Sequence, residues 1–172
     1  MNFHLKTVLL FIGVSLGCAA PRCAGADPDP YAPLKLYEGA WKVRMSGHDQ
    51  QPDHLVNRCS RTGTFFSCEQ ELNRKTAALV IFLSSGHNSS AALEYRTLAV
   101  LADASKPDDW GRLTIDGQTW TYAWMQKDGE KTVEMRNVNQ FRDNDHIHFE
   151  VQKHAEDGTW KTQFSGDEER VK

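Results

Sequence analysis

The chain has 172 residues, a quarter of them charged, and a formal net charge of −3 from 20 basic and 23 acidic side chains. That length suits one ordinary domain with a substantial core, and the mildly acidic balance argues against nucleic acid as a partner.

Lys6 precedes an apolar run from Thr7 to Leu16, a charged start followed by a core too short to span a bilayer. This pattern reads as a secretory signal peptide. Cleavage is expected after Ala24-Gly25-Ala26, which makes residues 1–26 the leader and 27–172 a single exported domain, periplasmic or secreted. A rival reading makes Cys18, after Ser15-Leu16-Gly17, a lipid-modified cysteine that anchors the protein. No other apolar run is long enough to cross a membrane, so no integral span is expected. Taking 26 residues from 172 leaves 146, and losing Lys6 and Arg22 leaves 18 bases against 23 acids, a net charge of −5. The same cut leaves Cys59 and Cys68, an even pair in an exported protein, for which one disulfide is expected. Two free buried thiols are the alternative. No Cys-x-x-Cys is present, so redox chemistry is not expected.

Asp27 to Pro33 reads as an extended lead-in, and Leu34 to Glu38 as one helical turn. Strand signals then run nearly to the end, over 41–45, 55–61, 64–72, 77–83, 91–101, 111–115, 118–125, 131–141, 146–153 and 159–164. Helical periodicity is nowhere convincing. About ten strands in one small domain must split into a sandwich or close on themselves, and closure removes exposed edges. The expected fold is therefore all-β, a single antiparallel up-and-down barrel.

Asp116-Gly117, Asp128-Gly129 and Asp157-Gly158 punctuate the C-terminal half, with Asp143-Asn144-Asp145 between the last two. Asp-Gly between alternating runs is the strongest short-range hairpin signal. Centring turns on these dipeptides puts Trp124 opposite Val133, Tyr122 opposite Met135, Trp120 opposite Asn137, and Leu113 opposite Trp120. The three-residue loop sets Phe141 against Ile147, Asn139 against Phe149 and Asn137 against Val151; the last turn sets Val151 against Phe164. One face then gathers Leu113, Ile115, Trp120, Tyr122, Trp124, Val133, Met135, Phe141, Ile147, Phe149, Val151, Trp160 and Phe164. The other gathers Thr121, Glu134, Arg136, Gln140, His146, His148, Glu150, Gln152, His154, Lys161 and Gln163. A register slipped by one would mix them.

This segregation bears on chemistry. His146, His148, Glu150 and His154 recur at two-residue spacing and have the residue types zinc uses, but they fall on the polar face with Glu134 and Arg136, so no metal site is expected. Ser84-Ser85-Gly86-His87 lacks the Gly-x-Ser-x-Gly elbow of a nucleophilic serine and reads as a polar connection between strands. Asn88-Ser89-Ser90 is a glycosylation acceptor only in a eukaryotic host. On the apolar face Asn137 and Asn139 stand beside Trp120, Tyr122 and Trp124. Few polar groups within an aromatic wall is the composition of a small-molecule pocket; a solid core with asparagines at the rim is the alternative. A ten-stranded barrel is wider than one layer of side chains readily fills.

Gly39-Ala40-Trp41 at the first strand, the run of hairpins and Arg170 near the C-terminus resemble the calycin barrels, the lipocalins and their relatives. The resemblance implies that Trp41 closes one end of the barrel and packs against Arg170 in a cation–π contact worth about 0.5–2 kcal/mol. Asp116-Gly-Gln-Thr-Trp-Thr-Tyr122 through Asp157-Gly-Thr-Trp160 to Arg170 looks similar, more narrowly, to small secreted bacterial lipocalin-like proteins of undefined function. The other sequence blocks of true lipocalins are not apparent. The expected role is binding a small, largely apolar ligand through Trp120, Tyr122, Trp124, Met135, Asn137 and Asn139, with no cofactor, as a monomer or homodimer. The alternatives are a barrel enzyme, an isomerase or hydrolase, which would need a titratable inward group, and an interaction protein using the doubly apolar strand 77–83.

Overall fold

The computed structural model describes residues 29–47, 51–104 and 109–172. The leader expected at 1–26, with Cys18, lies outside the described residues. A 3-10 turn, Pro33–Tyr37, precedes ten strands: β1 (Gly39–Met45), β2 (Asp53–Thr62), β3 (Phe65–Leu72), β4 (Lys75–His87), β5 (Leu93–Leu101), β6 (Gly111–Asp116), β7 (Thr119–Asp128), β8 (Lys131–Phe141), β9 (His146–His154) and β10 (Trp160–Arg170). Every strand is antiparallel to its sequence neighbours and β1 pairs with β10, so the sheet closes into a barrel. Closure leaves no strand edge unpaired.

The hairpins turn one residue later than their Asp-Gly dipeptides predict. Asp116 pairs with Thr119 and Asp128 with Lys131. The central residues are thus Gly117-Gln118 and Gly129-Glu130, with positive φ at the first only, 55° and 64°. Glycine at the first central position marks the type II′ turn, whereas Asp-Gly at the centre would have been type I′. Moving the centre by one residue moves each pairing by two, so Trp124 meets Met135 and not Val133, Tyr122 meets Asn137, Trp120 meets Asn139, and Leu113 meets Tyr122. Because the side-chain period is two, every residue keeps its face. The β8–β9 pairs, Phe141 with Ile147 and Asn137 with Val151 among them, fall where expected.

In the last strand the expected pair of Val151 with Phe164 is present, and the departure lies in the residues before it. The register of β10 against β9 shifts between Thr162 and Phe164. This bulge turns Trp160 to the outer surface beside His154, ring centroids 4.9 Å apart and with Arg136 4.0 Å over its ring. Lys161, placed outside by the simple register, pairs instead with the inward position Lys153. The strand also runs on to Arg170 rather than ending at Phe164, and these added residues complete the seam with β1. Likewise Ser84 to His87 continue β4, with an irregularity between Ser84 and Gly86, rather than forming a connection.

Cys59 and Cys68 face each other across β2 and β3 and form the expected disulfide. His146 and His148 lie on the outer face, within 2.9 Å of Asp143 and 3.0 Å of Asp167. No helix among the described residues is long and apolar enough to cross a membrane.

Candidate functional site

The site begins where the chain crosses one end of the barrel. Pro33, whose fixed φ suits a first helical turn, starts the 3-10 turn that carries Leu34 and Tyr37 across the opening. Tyr31 anchors this segment: its hydroxyl donates to Thr64 O at 2.7 Å and accepts from the Ser84 amide at 3.0 Å. The Tyr95 hydroxyl donates to Pro30 O, and burial pushes its pKa up to about 12. Trp41 is fully buried and donates from its indole to Tyr37 O at 3.1 Å. Arg170 pairs with Trp41 across the β1–β10 seam and sets its guanidinium 4.1 Å over the indole. It donates to the carbonyls of Leu36, Glu38 and Asn144 and pairs with Asp145 at 3.2 Å. The Trp41–Arg170 contact implied by the resemblance is therefore present, as the clasp of the closed end.

Above this plug lies a cavity of about 300 Å³. Leu34 and Tyr37 form its floor; Cys68, Gln70, Val80, Phe82 and Leu113 line one side, and Trp120, Tyr122, Trp124, Asn137, Asn139 and Val151 the other. Five of the six residues expected to bind a ligand are among these. The sixth, Met135, is buried opposite Trp124 and is not part of the lining. Tyr122 and Trp124 stack with centroids 5.1 Å apart and planes 20° from parallel, presenting a flat aromatic surface. No lining residue carries a charge. The Oδ1 atoms of Asn137 and Asn139 are buried and accept no hydrogen bond. An unpaired buried acceptor is costly.

The floor conceals an acid absent from the expected inward set. Glu168 pairs with Ile147 and with Val43, which puts it on the inward face, 6% exposed. Tyr37 donates its hydroxyl to Glu168 Oε1 at 3.2 Å, while Oε2 has no partner. Burial is the main cause of a carboxyl pKa raised to about 7, opposed by the Tyr37 hydrogen bond. The Tyr37 hydroxyl is itself raised well above 10, by burial first and then by the charge of Glu168. Beside them Gln70 donates to Asn57 Oδ1 at 3.1 Å, and Asn57 donates to Tyr37 O at 3.2 Å.

Sequence reasoning missed Glu168, Tyr37 and Gln70. Ser165-Gly-Asp-Glu-Glu-Arg170 has no apolar alternation, so nothing in it advertises an inward carboxylate. One signal was available: if Arg170 faces Trp41, the residue two before it shares that face. Comparison with models of known protein families and with curated proteins finds no match to this chain.

Proposed function

We propose that this chain is an exported binding protein of the calycin type, related to the small secreted lipocalin-like proteins, and that its barrel holds a small, largely apolar molecule. The observation that carries this reading is the uncharged aromatic cavity with two unsatisfied acceptors in its wall. A structural core would be expected to fill such a space, because interiors are close-packed and empty apolar volume forfeits contacts. The disulfide fits an oxidising compartment.

Native mass spectrometry of protein purified from its exported compartment tests this: a retained molecule should appear as added mass. A neutral apolar reporter, N-phenyl-1-naphthylamine, should gain fluorescence on binding and lose it on Trp124→Ala or Tyr122→Ala. Empty protein that also leaves the reporter unchanged would sink the reading.

A second reading, a catalytic barrel, is favoured by one observation, the inward carboxyl of Glu168. Glu168 lies behind Tyr37 and outside the cavity lining, however, so the group nearest a bound molecule is a tyrosine whose hydroxyl is already donated. Turnover abolished by Glu168→Gln with binding retained would favour catalysis.

A further inference from the structure

We infer that the outer face of β3, β4 and β5 is a self-complementary surface that joins two copies of this chain, with Glu69 of each copy meeting Arg96 of the other around an apolar centre. The pairing is independent of what the cavity holds.

Strand β4 is apolar on both faces from Ala77 to Leu83. Its inward residues Val80 and Phe82 line the cavity, so alternation turns Leu79, Ile81 and Leu83 outward. Across the ladder Leu79 stands beside Val100 and Ile81 beside Leu98. Phe65 joins them at the start of β3, outward because Phe66 is buried. Leu79 is 39% exposed and the other five are half-buried. The barrel's own core does not use these side chains, and a contiguous apolar patch on an outer surface marks an interaction site.

Charges at two opposite corners of the patch say what covers it. Glu69 is the cross-strand partner of Leu79 on the β3 side, and Arg96 that of Leu83 on the β5 side; both are exposed. Two strands and four residues separate them, roughly 17 Å, so they cannot pair within one chain. Among the described residues Glu69 has no basic partner; Arg58, opposite it on β2, is bound to Glu71 at 3.2 Å. Arg96 has no acidic partner among them either, and it stands opposite Arg112 with its guanidinium held 4.4 Å over the Trp110 ring. Like charges opposite one another are unfavourable without a carboxylate to meet them. A two-fold axis lying in the interface, close to the diagonal from Phe65 to Val100, lays each Glu69 on the other copy's Arg96 and apolar centre on apolar centre, an isologous contact. The strands of the two sheets then cross steeply, toward the orthogonal class of sheet packing. The patch spans roughly 10 by 14 Å between Cα positions. Even with the side chains around its rim it stays below the ~800 Å² that each partner gives to a standard interface, so the dimer is a weak one that forms at micromolar concentrations.

Sedimentation velocity of the exported protein from about 5 to about 500 µM reads this directly. The parent should pass from one-copy to two-copy mass across the range, and Leu79→Glu should stay at one-copy mass throughout. Glu69→Arg and Arg96→Glu should each raise the dimer dissociation constant at least about tenfold, because like charges then oppose one another. An equimolar mixture of these two variants should recover two-copy mass, since both corners again set opposite charges together. Glu69 and Arg96 are exposed, and cooperative melting shows that each variant is folded. A sedimentation coefficient that is flat across the range in the parent, association that survives Leu79→Glu, or a mixture no better associated than its components overturns the proposal.

Discussion

Among the described residues Glu168 is the one acid the fold places against its own core, and its energetics can be read from its surroundings. Burial raises its pKa from an ordinary 4.5 to about 7, so between those values the folded state holds a proton that the unfolded chain has released. Raising the pH through this window therefore favours unfolding. The associated stability is fully present below about pH 4.5, falls as pH rises and is gone above about pH 7, a change of about 3 kcal/mol by linkage. Asp128, Asp143, Glu150 and Asp157 are shifted the other way by hydrogen bonds or ion pairs, and their contribution is lost only as pH falls through a lower range. Glu168→Gln keeps an acceptor for Tyr37 and removes the titration. Denaturant melts of parent and variant at pH 4.5 and pH 8 should differ little at the first and favour the variant by a few kcal/mol at the second. A parent stability that is flat or rising across the window, relative to the variant, would show that the carboxyl is already solvated. The same residue marks a limit of sequence reading. Asn137 and Asn139 were legible because they break an apolar alternation, while Glu168 sits in a run of charges where nothing distinguishes the inward position.

At the scale of elements, faces were legible and pairings less so. Alternation fixes which side a residue takes, and it placed Trp120, Tyr122, Trp124, Asn137 and Asn139 on one wall despite a register displaced by two. Turn type depends on which residue of an Asp-Gly pair takes the first central position, and that is decided by ladder geometry rather than composition. The β3–β4 turn carries the same lesson: Asn73 and Arg74 both have positive φ, 51° and 66°, without any glycine. Trp160 could not be placed because a bulge leaves no reliable mark, and one extra residue reverses the faces beyond it. Farther along β10, Gly166 shows why the strand is written as it is. A Cβ there would stand 2.4 Å from Arg44 O and 2.6 Å from the Phe149 ring, and the backbone oxygen cannot give way without loosening the β1–β10 ladder. Gly166→Ala should cost about 3 kcal/mol, the upper part of the overpacking range, read as a lowered denaturant midpoint. The Cys59–Cys68 bridge reinforces the β2–β3 hairpin on the far side of β1. Replacing both cysteines with alanine should cost about 2–3 kcal/mol if the bridge acts by restricting the unfolded chain, read as a lowered denaturant midpoint with a steeper slope, because the unlinked unfolded chain exposes more surface.

For the whole molecule, closure depends on the join between its first and last strands. The β1–β10 ladder unites the two ends of the barrel through five pairs, Trp41 with Arg170 to Met45 with Gly166, and Arg170 adds the bonds that hold the plug. Local hairpins form between neighbouring residues, but this seam brings together segments separated by most of the chain, so its loop-closure entropy must be offset by the seam itself and by the plug it clasps. A chain ending after Asp167 would lose three of the five pairs together with the cation–π contact and the carbonyl clasps at Leu36 and Glu38. Strand β1 would then present unpaired backbone groups, the usual template for association between chains. Arg170→Ala retains the backbone ladder and removes only the clasp, so the two variants separate edge formation from plug anchoring. The alanine variant should remain a folded species of the parent's size with a lowered melting temperature and a plug more open to hydrogen exchange at Leu36 to Trp41. The truncated chain should melt without cooperativity and aggregate with a rise in thioflavin T fluorescence. If truncation instead lowers the melting temperature no more than Arg170→Ala does, the barrel is held by its hairpins and plug, and the seam contributes little beyond the arginine.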